Sequence, residues 1–377
     1  MRALRVPAMV NAHSHAFQLD LRGVGERPHP GDDFWSWRTE MYRLASVHDP
    51  ASMREVGIRA YSAMAAAGYR AVGEFHYVVH QPDGTPYEEP NAMAIALAEA
   101  AGQCGLEMVL LPAAYARGGF GIAASEEQQR FCDPEVDVFL ERLDGLRAWA
   151  VSRPGVSVGV AVHSVRAVPA PWITAVAQYA DQFGLVRHVH ACEQTHELEE
   201  CHAEHGCSPI ELLSRCGFLS PLTSVVHGIH VDEHDIAMLA LSGAGVVSCP
   251  TTEGNLGDGI FPALRYRDAG VPVAIGSDSQ VRLDPFEELR ELETLARREG
   301  QTRDALLAGA GGDLWGAMVA HGRARLGLDP AGGSEIEIDL DHPDLAGVAA
   351  EDVSLALATC ASAGVVVSGP AGVEDRA

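Results

Sequence analysis

Asn11-Ala12-His13-Ser14-His15 follows the first β-branched run of the chain, where a strand hands over to the next segment. An open doubly wound sheet carries a glycine-rich phosphate turn at that place. This turn has two imidazoles and no glycine, so the dinucleotide-binding reading falls. Working outward, short β-branched runs at residues 5–11, 70–77, 107–115, 156–165, 186–193, 223–230, 245–250 and 272–278 predict strands. Helical stretches lie between them. In 51–67, Met53, Val56, Tyr61 and Met64 follow the 3.6-residue period; 90–101, 134–150, 171–183 and 232–241 follow the same logic, several with Pro or Asp near the start. Eight strands alternating with helices predict an α/β chain folded as a (β/α)8 TIM barrel. The barrel is expected over 1–328, with helices at 285–298 and 302–327 closing it. A tail over 329–377 holds weak strand candidates at 334–340 and 365–368.

Composition narrows the chemistry. The 377 residues are 47% hydrophobic and 21% charged, enough for a packed core and too apolar for disorder. The net charge of −25 argues against nucleic acid, because phosphate contacts need clustered cations. All 27 Lys+Arg cations are arginine. Without lysine there is no Schiff base, no P-loop and no metal pair bridged by a carbamylated lysine. The eight cysteines are scattered, the first residues lack the apolar region of a secretory signal, and no apolar run is long enough for a membrane span. A cytoplasmic protein with free thiols and no membrane partner is expected.

In a barrel the strand C-termini form the reactive face, so what stands there is informative. The first predicted strand ends in His13-Ser14-His15, the fifth in His190-Ala-Cys-Glu193, the sixth in His227-Gly-Ile-His230 and the eighth in Ser277-Asp278-Ser279. Residues two apart share a face of a strand, so His13 and His15 can reach one ion. Alone, a His-x-His pair recurs by chance, and Asp278 could cap the helix starting near Pro285. All four strand ends together, in barrel order, point to a metal site.

This order of His-x-His, His-x-x-Glu, His and Ser-Asp resembles the mononuclear deaminase branch of the amidohydrolase superfamily. Its members hydrolyse or deaminate C–N bonds with a metal-bound hydroxide in a (β/α)8 barrel. Within it, the chain is most similar to the formimidoylglutamate deiminase family of histidine degradation. The likeness rests on Asn11-Ala-His-Ser-His-Ala-Phe-Gln18, Phe34-Trp-Ser-Trp-Arg38, Glu74-Phe-His-Tyr77, His163-Ser-Val-Arg-Ala-Val168, His190-Ala-Cys-Glu-Gln194, Asn255-Leu-Gly-Asp-Gly-Ile-Phe-Pro262 and Gly276-Ser-Asp-Ser279, and runs from about 7 to 328. The resemblance implies that His13, His15, His190 and Asp278 ligate one divalent ion, Zn²⁺ first and Fe²⁺ or Mn²⁺ as compatible choices. It implies that Asp278 takes a proton from water, Glu193 moves one to the leaving nitrogen, and His227 polarises or holds the tetrahedral centre. It implies N-formimino-L-glutamate as substrate and N-formyl-L-glutamate and ammonia as products. Gln18, Arg38, Tyr77, His163 and Arg166 would surround the substrate, the two arginines as forks for the carboxylates of an anionic amidine.

Plainer readings stand beside these. Arg38 could pair with Glu40 or Asp32, and Tyr77 could be a packed aromatic with its hydroxyl satisfied locally. Cys201, His202, His205, Cys207 and Cys216 match no standard zinc spacing. Cys192 alternates away from the site and is expected to pack. Gly118-Gly-Phe-Gly121 is expected to be a turn near the mouth. Two departures from the family follow. Its usual β-sandwich domain is expected to be truncated or missing, with the leading half absent and the tail a vestige, and a homodimer is the expected cover for the bared barrel. A histidine is expected after Gly276-Ser-Asp-Ser279, but the chain has Gln280, a neutral amide near the metal; Val79 and Arg117 also differ. Alternatives are a relative acting on another formimidoyl, amidine or guanidine compound, a non-catalytic metal-binding scaffold, and a purine or pyrimidine deaminase. The last needs stacking aromatics, which only 6% of the chain supplies.

Overall fold

A computed structural model describes residues 2–27, 31 and 33–367. The predicted strand at 5–11 is two strands: β1 (Ala3–Pro7), half exposed, and β2 (Met9–Ser14), wholly buried. Pro7 has no N–H to offer a ladder, and the chain changes sheets after it. The barrel continues with β3 (Tyr69–His76), β4 (Glu107–Ala114), β5 (Val156–Val158) and β6 (Val160–Ser164). It is completed by β7 (Arg187–Ala191), β8 (Thr223–His227), β9 (Gly245–Ser248) and β10 (Val273–Ile275). All pair in parallel in the order β10-β9-β8-β7-β6-β4-β3-β2, and β5 also pairs with β4. The predicted strand 156–165 is thus one stave broken at Gly159. A Cβ there would lie 2.7 Å from both Val186 Cγ2 and the Val186 carbonyl oxygen. Buried on both faces, the staves read as near-continuous apolar runs, as parallel sheets do.

Closure is made between β10 and β2. Ser14 bridges Asp278 in parallel, Ser277 N and Asp278 N each donate to the His13 carbonyl at 3.1 Å, and His15 N donates to the Asp278 carbonyl at 3.1 Å. Outside the barrel, β1 pairs antiparallel with β11 (Glu335–Asp339), from Ala3 opposite Asp339 to Pro7 opposite Glu335. Segments from before and after the barrel therefore meet in one small sheet, where no leading strand was expected. In place of a strand at 365–368, Ala363–Val365 is a 3-10 turn and Val366 makes a single bridge to Ile338; Ser368 lies outside the described residues.

The helices at Pro50–Ala67, Ala92–Gln103, Val136–Ala150, Ala170–Phe183, Glu233–Ser242 and Pro285–Gly300 match the expected stretches. The one expected at 302–327 is split into Leu306–Gly309 and Leu314–Arg325, because Gly311 and Gly312 between them are left-handed at φ 63° and 91°. A helix at Phe34–Ala45, absent from the sequence reading, lies over the mouth; Asp33 and Ser36 form its capping box. Among the described residues no helix is long and apolar enough to cross a membrane.

Candidate metal centre and its cavity

Four side chains converge where β2, β7 and β10 end. His13 Nε2 lies 3.2 Å from His15 Nε2, 3.0 Å from His190 Nε2 and 3.2 Å from Asp278 Oδ1. His15 Nε2 is 3.4 Å from His190 Nε2 and 3.2 Å from Asp278 Oδ1. All four residues are buried. Asp278 does not cap the following helix; Asp284 does, accepting from Phe286 N and Glu287 N.

These residues fit a divalent ion. The His15 Nδ1 donates to the Phe75 carbonyl at 2.7 Å, and the His190 Nδ1 to the His163 carbonyl at 2.9 Å. Those bonds leave the Nε2 lone pairs facing one another across the cluster, an arrangement that repels unless a cation lies between them. Tetrahedral coordination at zinc distances spaces ligand atoms about 3.4 Å apart, close to what is seen. Burial also pushes His13 down to about 3, against the pull of Asp278, and holds His190 well below its ordinary range, so both rings are neutral, as ligands must be.

Beside the cluster stands a charged relay. His227 Nε2 is 3.5 Å from Glu193 Oε1, and His227 Nδ1 donates to Glu253 Oε1 at 3.3 Å. Burial would lower His227, but Glu193, Glu253 and Asp278 outweigh it and raise it to about 10. Burial raises Glu193, against the opposing pull of His227 and Arg166. The strand-end test passes over Glu253, although it was applicable: β9 ends two residues before Pro250, and Glu253 stands in the first turn of the helix Pro250–Leu256. Its carboxylate also accepts from Cys249 N at 2.7 Å and Ser248 Oγ at 2.9 Å.

The residues singled out as substrate contacts all line one cavity with the cluster. Gln18, Arg38, Tyr77, His163 and Arg166 share it with His15, His190, Asp278, Glu193 and His227, under Phe34, Trp37, Met41, Tyr42 and Leu256. Gln18 Nε2 donates to Tyr77 Oη at 3.0 Å, while Gln18 Oε1 is buried with no hydrogen-bond partner among the described residues. Arg38 donates to Tyr42 Oη and, at 3.2 Å, to the Gly118 carbonyl. Glu40 is taken by Arg43, and Asp32 lies outside the described residues. Among the described residues, no carboxylate comes within 4 Å of either Arg38 or Arg166. The aromatics scarce in composition are gathered here, and the guanidinium of Arg38 lies 5.3 Å from the Trp35 ring centroid, that of Arg166 5.5 Å from it. Burial, with Arg166 and Arg38 next, holds His163 well below its ordinary range.

Gln280 does not face the cluster. Its amide donates to Ser14 Oγ at 2.8 Å and the Asp278 carbonyl at 3.0 Å, and accepts from Ser277 Oγ at 2.8 Å, so it clasps the barrel seam. Cys192 is buried in the apolar core, as expected of a packing residue. Among the described residues the His/Asp cluster is the only candidate metal group; Cys201, His202, His205, Cys207 and Cys216 form none. Gly118 and Gly119 do form a turn, with Gly118 N bonded to the Ile122 carbonyl at 2.9 Å.

The fold and site together define a (β/α)8 barrel hydrolase with a His/His/His/Asp cluster suited to one divalent metal. Comparison with known proteins agrees: the amidohydrolase family model matches residues 4–308. The chain belongs to the amidohydrolase family, whose members hydrolyse C–N bonds of small molecules. It is 39% identical over 328 residues to the formimidoylglutamate deiminase of Pseudomonas aeruginosa, covering 85% of this chain and 72% of that one. It is 28% identical to a 5-methylthioadenosine/S-adenosylhomocysteine deaminase of Haloarcula marismortui, over 91% of this chain and 74% of that one. The crystal structure of an amidohydrolase from Brucella melitensis superposes with a TM-score of 0.87 at 34% identity, over 96% of this chain and 84% of that one.

Proposed function

We propose that the chain is a metal-dependent deiminase that converts N-formimino-L-glutamate and water into N-formyl-L-glutamate and ammonia. The observation that carries the substrate is the pair of guanidinium groups, Arg38 and Arg166, set in the same cavity as the His/Asp cluster with no carboxylate among the described residues within 4 Å of them. A cation left unpaired in a buried cleft is a site for an anion brought by the ligand, and two suit a dicarboxylate. The 39% identity to a formimidoylglutamate deiminase supports the same choice.

When bound, the divalent ion, zinc on this ligand set, supplies an acidified water as nucleophile. The residues of the chain do the rest. Arg38 and Arg166 fix the carboxylate end and so aim the formimidoyl carbon at the cluster. Asp278 takes a proton as water oxygen adds to that carbon. Glu193, 3.5 Å from His227, shuttles the remaining hydroxyl proton of the adduct to the nitrogen while Asp278 passes on the one it took; the C–N bond breaks, and ammonia leaves a formyl group behind. His227, held between Glu193 and Glu253, presents a positive ring edge to the developing oxyanion.

A nucleoside deaminase is the second reading, favoured by relatives such as the Haloarcula enzyme. Against it, the guanidinium groups already lie over Trp35, Tyr42 and Phe34. The test is ammonia release by zinc-loaded protein from N-formimino-L-glutamate, N-formimino-L-aspartate, a guanidino acid and 5-methylthioadenosine. Fast release from the first compound alone is expected. Release only from the nucleoside would overturn the proposal, and silence on all four would favour a scaffold.

A further inference from the structure

We infer that Arg117, which touches neither the metal cluster nor the cavity, is the positioning residue that sets the carboxylate-binding arginines. The inference rests on the dicarboxylate reading above. Arg117 Nε donates to the carbonyl of Arg166 itself at 3.0 Å, and its Nη2 to the carbonyl of Val165 at 3.2 Å. Its Nη1 bonds Glu204 Oε1 at 2.8 Å. The backbone amides of Ala116 and Arg117 both donate to the Ala167 carbonyl at 3.0 Å. The carbonyl of the next residue, Gly118, accepts Arg38 Nη2 at 3.2 Å.

Three elements are therefore tied at one side chain. The loop after β6 carries Arg166, the turn after β4 receives Arg38, and the helix Thr195–His205 carries Glu204. Among the described residues the Arg166 side chain makes no hydrogen bond that would orient it in the absence of ligand, so its direction depends on how its backbone is held. A planar fork with five donors in fixed geometry can serve two adjacent carbonyls and a carboxylate at once. The Gly118 position admits no substitute to carry the strain, since a Cβ there would lie 2.6 Å from the Ala123 carbonyl oxygen. Loosening Arg117 thus frees Arg166 and shifts the partner of Arg38 together, and the effect falls on the anionic end of the substrate.

The test compares zinc-loaded wild type, Arg117→Ala and Arg117→Lys on N-formimino-L-glutamate and on N-methylformamidine, which carries no carboxylate. Binding of N-formyl-L-glutamate is read in parallel by tryptophan fluorescence. For Arg117→Ala, KM for the dicarboxylate and Kd for its product should rise about 10- to 100-fold, with kcat falling by less than KM rises and no matching loss on N-methylformamidine. Arg117→Lys, able to reach one carbonyl or Glu204, should recover part of the binding. Equal losses on both substrates would reduce Arg117 to a general staple, and unchanged dicarboxylate binding would overturn its role outright. If the wild type itself shows no preference for the dicarboxylate and does not bind its product, the substrate reading fails first and takes this inference with it.

Discussion

Glu253 offers the sharpest perturbation, because two substitutions there separate charge from hydrogen bonding. Its Oε1 accepts both Cys249 N and His227 Nδ1, and its Oε2 accepts Ser248 Oγ. In Glu253→Gln the amide oxygen can take the Oε1 place and keep both of its donors. The new NH2 then faces the Ser248 hydroxyl, which rotates to accept. The packing and all three contacts survive, and only the negative charge beside His227 is lost. Stability should change by no more than about 1 kcal/mol, the scale of one hydrogen bond. Activity should not be spared. General acid–base groups are worth about 10²–10⁴-fold, and Glu253 acts through His227, so kcat should fall about 10- to 100-fold. Glu253→Ala strands three donors in a site where the residue is only 3% exposed. At about 1–3 kcal/mol for each unsatisfied group, with Ser248 free to turn elsewhere, the loss should be about 3–5 kcal/mol. The assays are ammonia release and thermal or denaturant unfolding of metal-loaded protein. Wild-type kcat in Glu253→Gln, or equal stability of the two variants, would refute the account of how His227 is held.

Two further outcomes follow from the same structure. Burial raises Glu197 to about 7, so the folded protein holds a proton that the unfolded chain releases near pH 4.3. Its contribution to stability therefore declines as pH rises from about 4.5 to 7, by up to about 3 kcal/mol; Glu197→Gln should gain on wild type in Tm between pH 5 and pH 8, and a constant difference would sink the assignment. Stripping the divalent metal with a chelator should lower Tm and speed hydrogen exchange at the amides of His15, Ser277 and Asp278 more than along the β3–β4 ladder, with zinc reversing both; a uniform change would deny the cluster a role in closing the barrel.

Much of this was legible in the sequence because ligand chemistry restricts residue type. Only a few side chains can hold a divalent ion, and His13, His15, His190 and Asp278 stood at strand ends where a barrel must place them. The stave count was legible for a similar reason, since strands buried on both faces must be apolar throughout. What escaped depends on backbone turns that residue type announces only weakly. The break between β1 and β2 is signalled by Pro7 alone within the apolar run 6–10, and Gly159 splits a stave for the sake of Val186. Gln280 was expected near the metal, yet its backbone is left-handed at φ 65°, which turns the amide to Ser14 and Ser277 instead. Glu253 escaped although it follows a strand end, because a single carboxylate in the first turn of a helix reads as a partner of the helix dipole.

The strained positions show how site and fold depend on each other. Apart from Gln301 at a helix end, the non-glycine residues with positive φ among those described are Cys192, His227, Asp278 and Gln280, at 58°, 71°, 46° and 65°. All four follow or end the strands that carry the cluster and its relay. Each such residue costs about 1–3 kcal/mol and persists only where its surroundings over-determine it. At Asp278 the hold comes from β2: the His13 carbonyl takes two amides, of Ser277 and Asp278, and the Asp278 carbonyl takes the His15 amide. The same few bonds close the barrel, since β10 and β2 share only the single bridge between Ser14 and Asp278. Three of the four cluster residues thus sit astride the weakest junction of the sheet, and the fourth, His190, reaches it from β7 across the mouth. An ion bound by all four would join both sides of that junction, so the strain at Asp278 and the thin ladder beside it would be offset by the same coordination that the proposed chemistry requires.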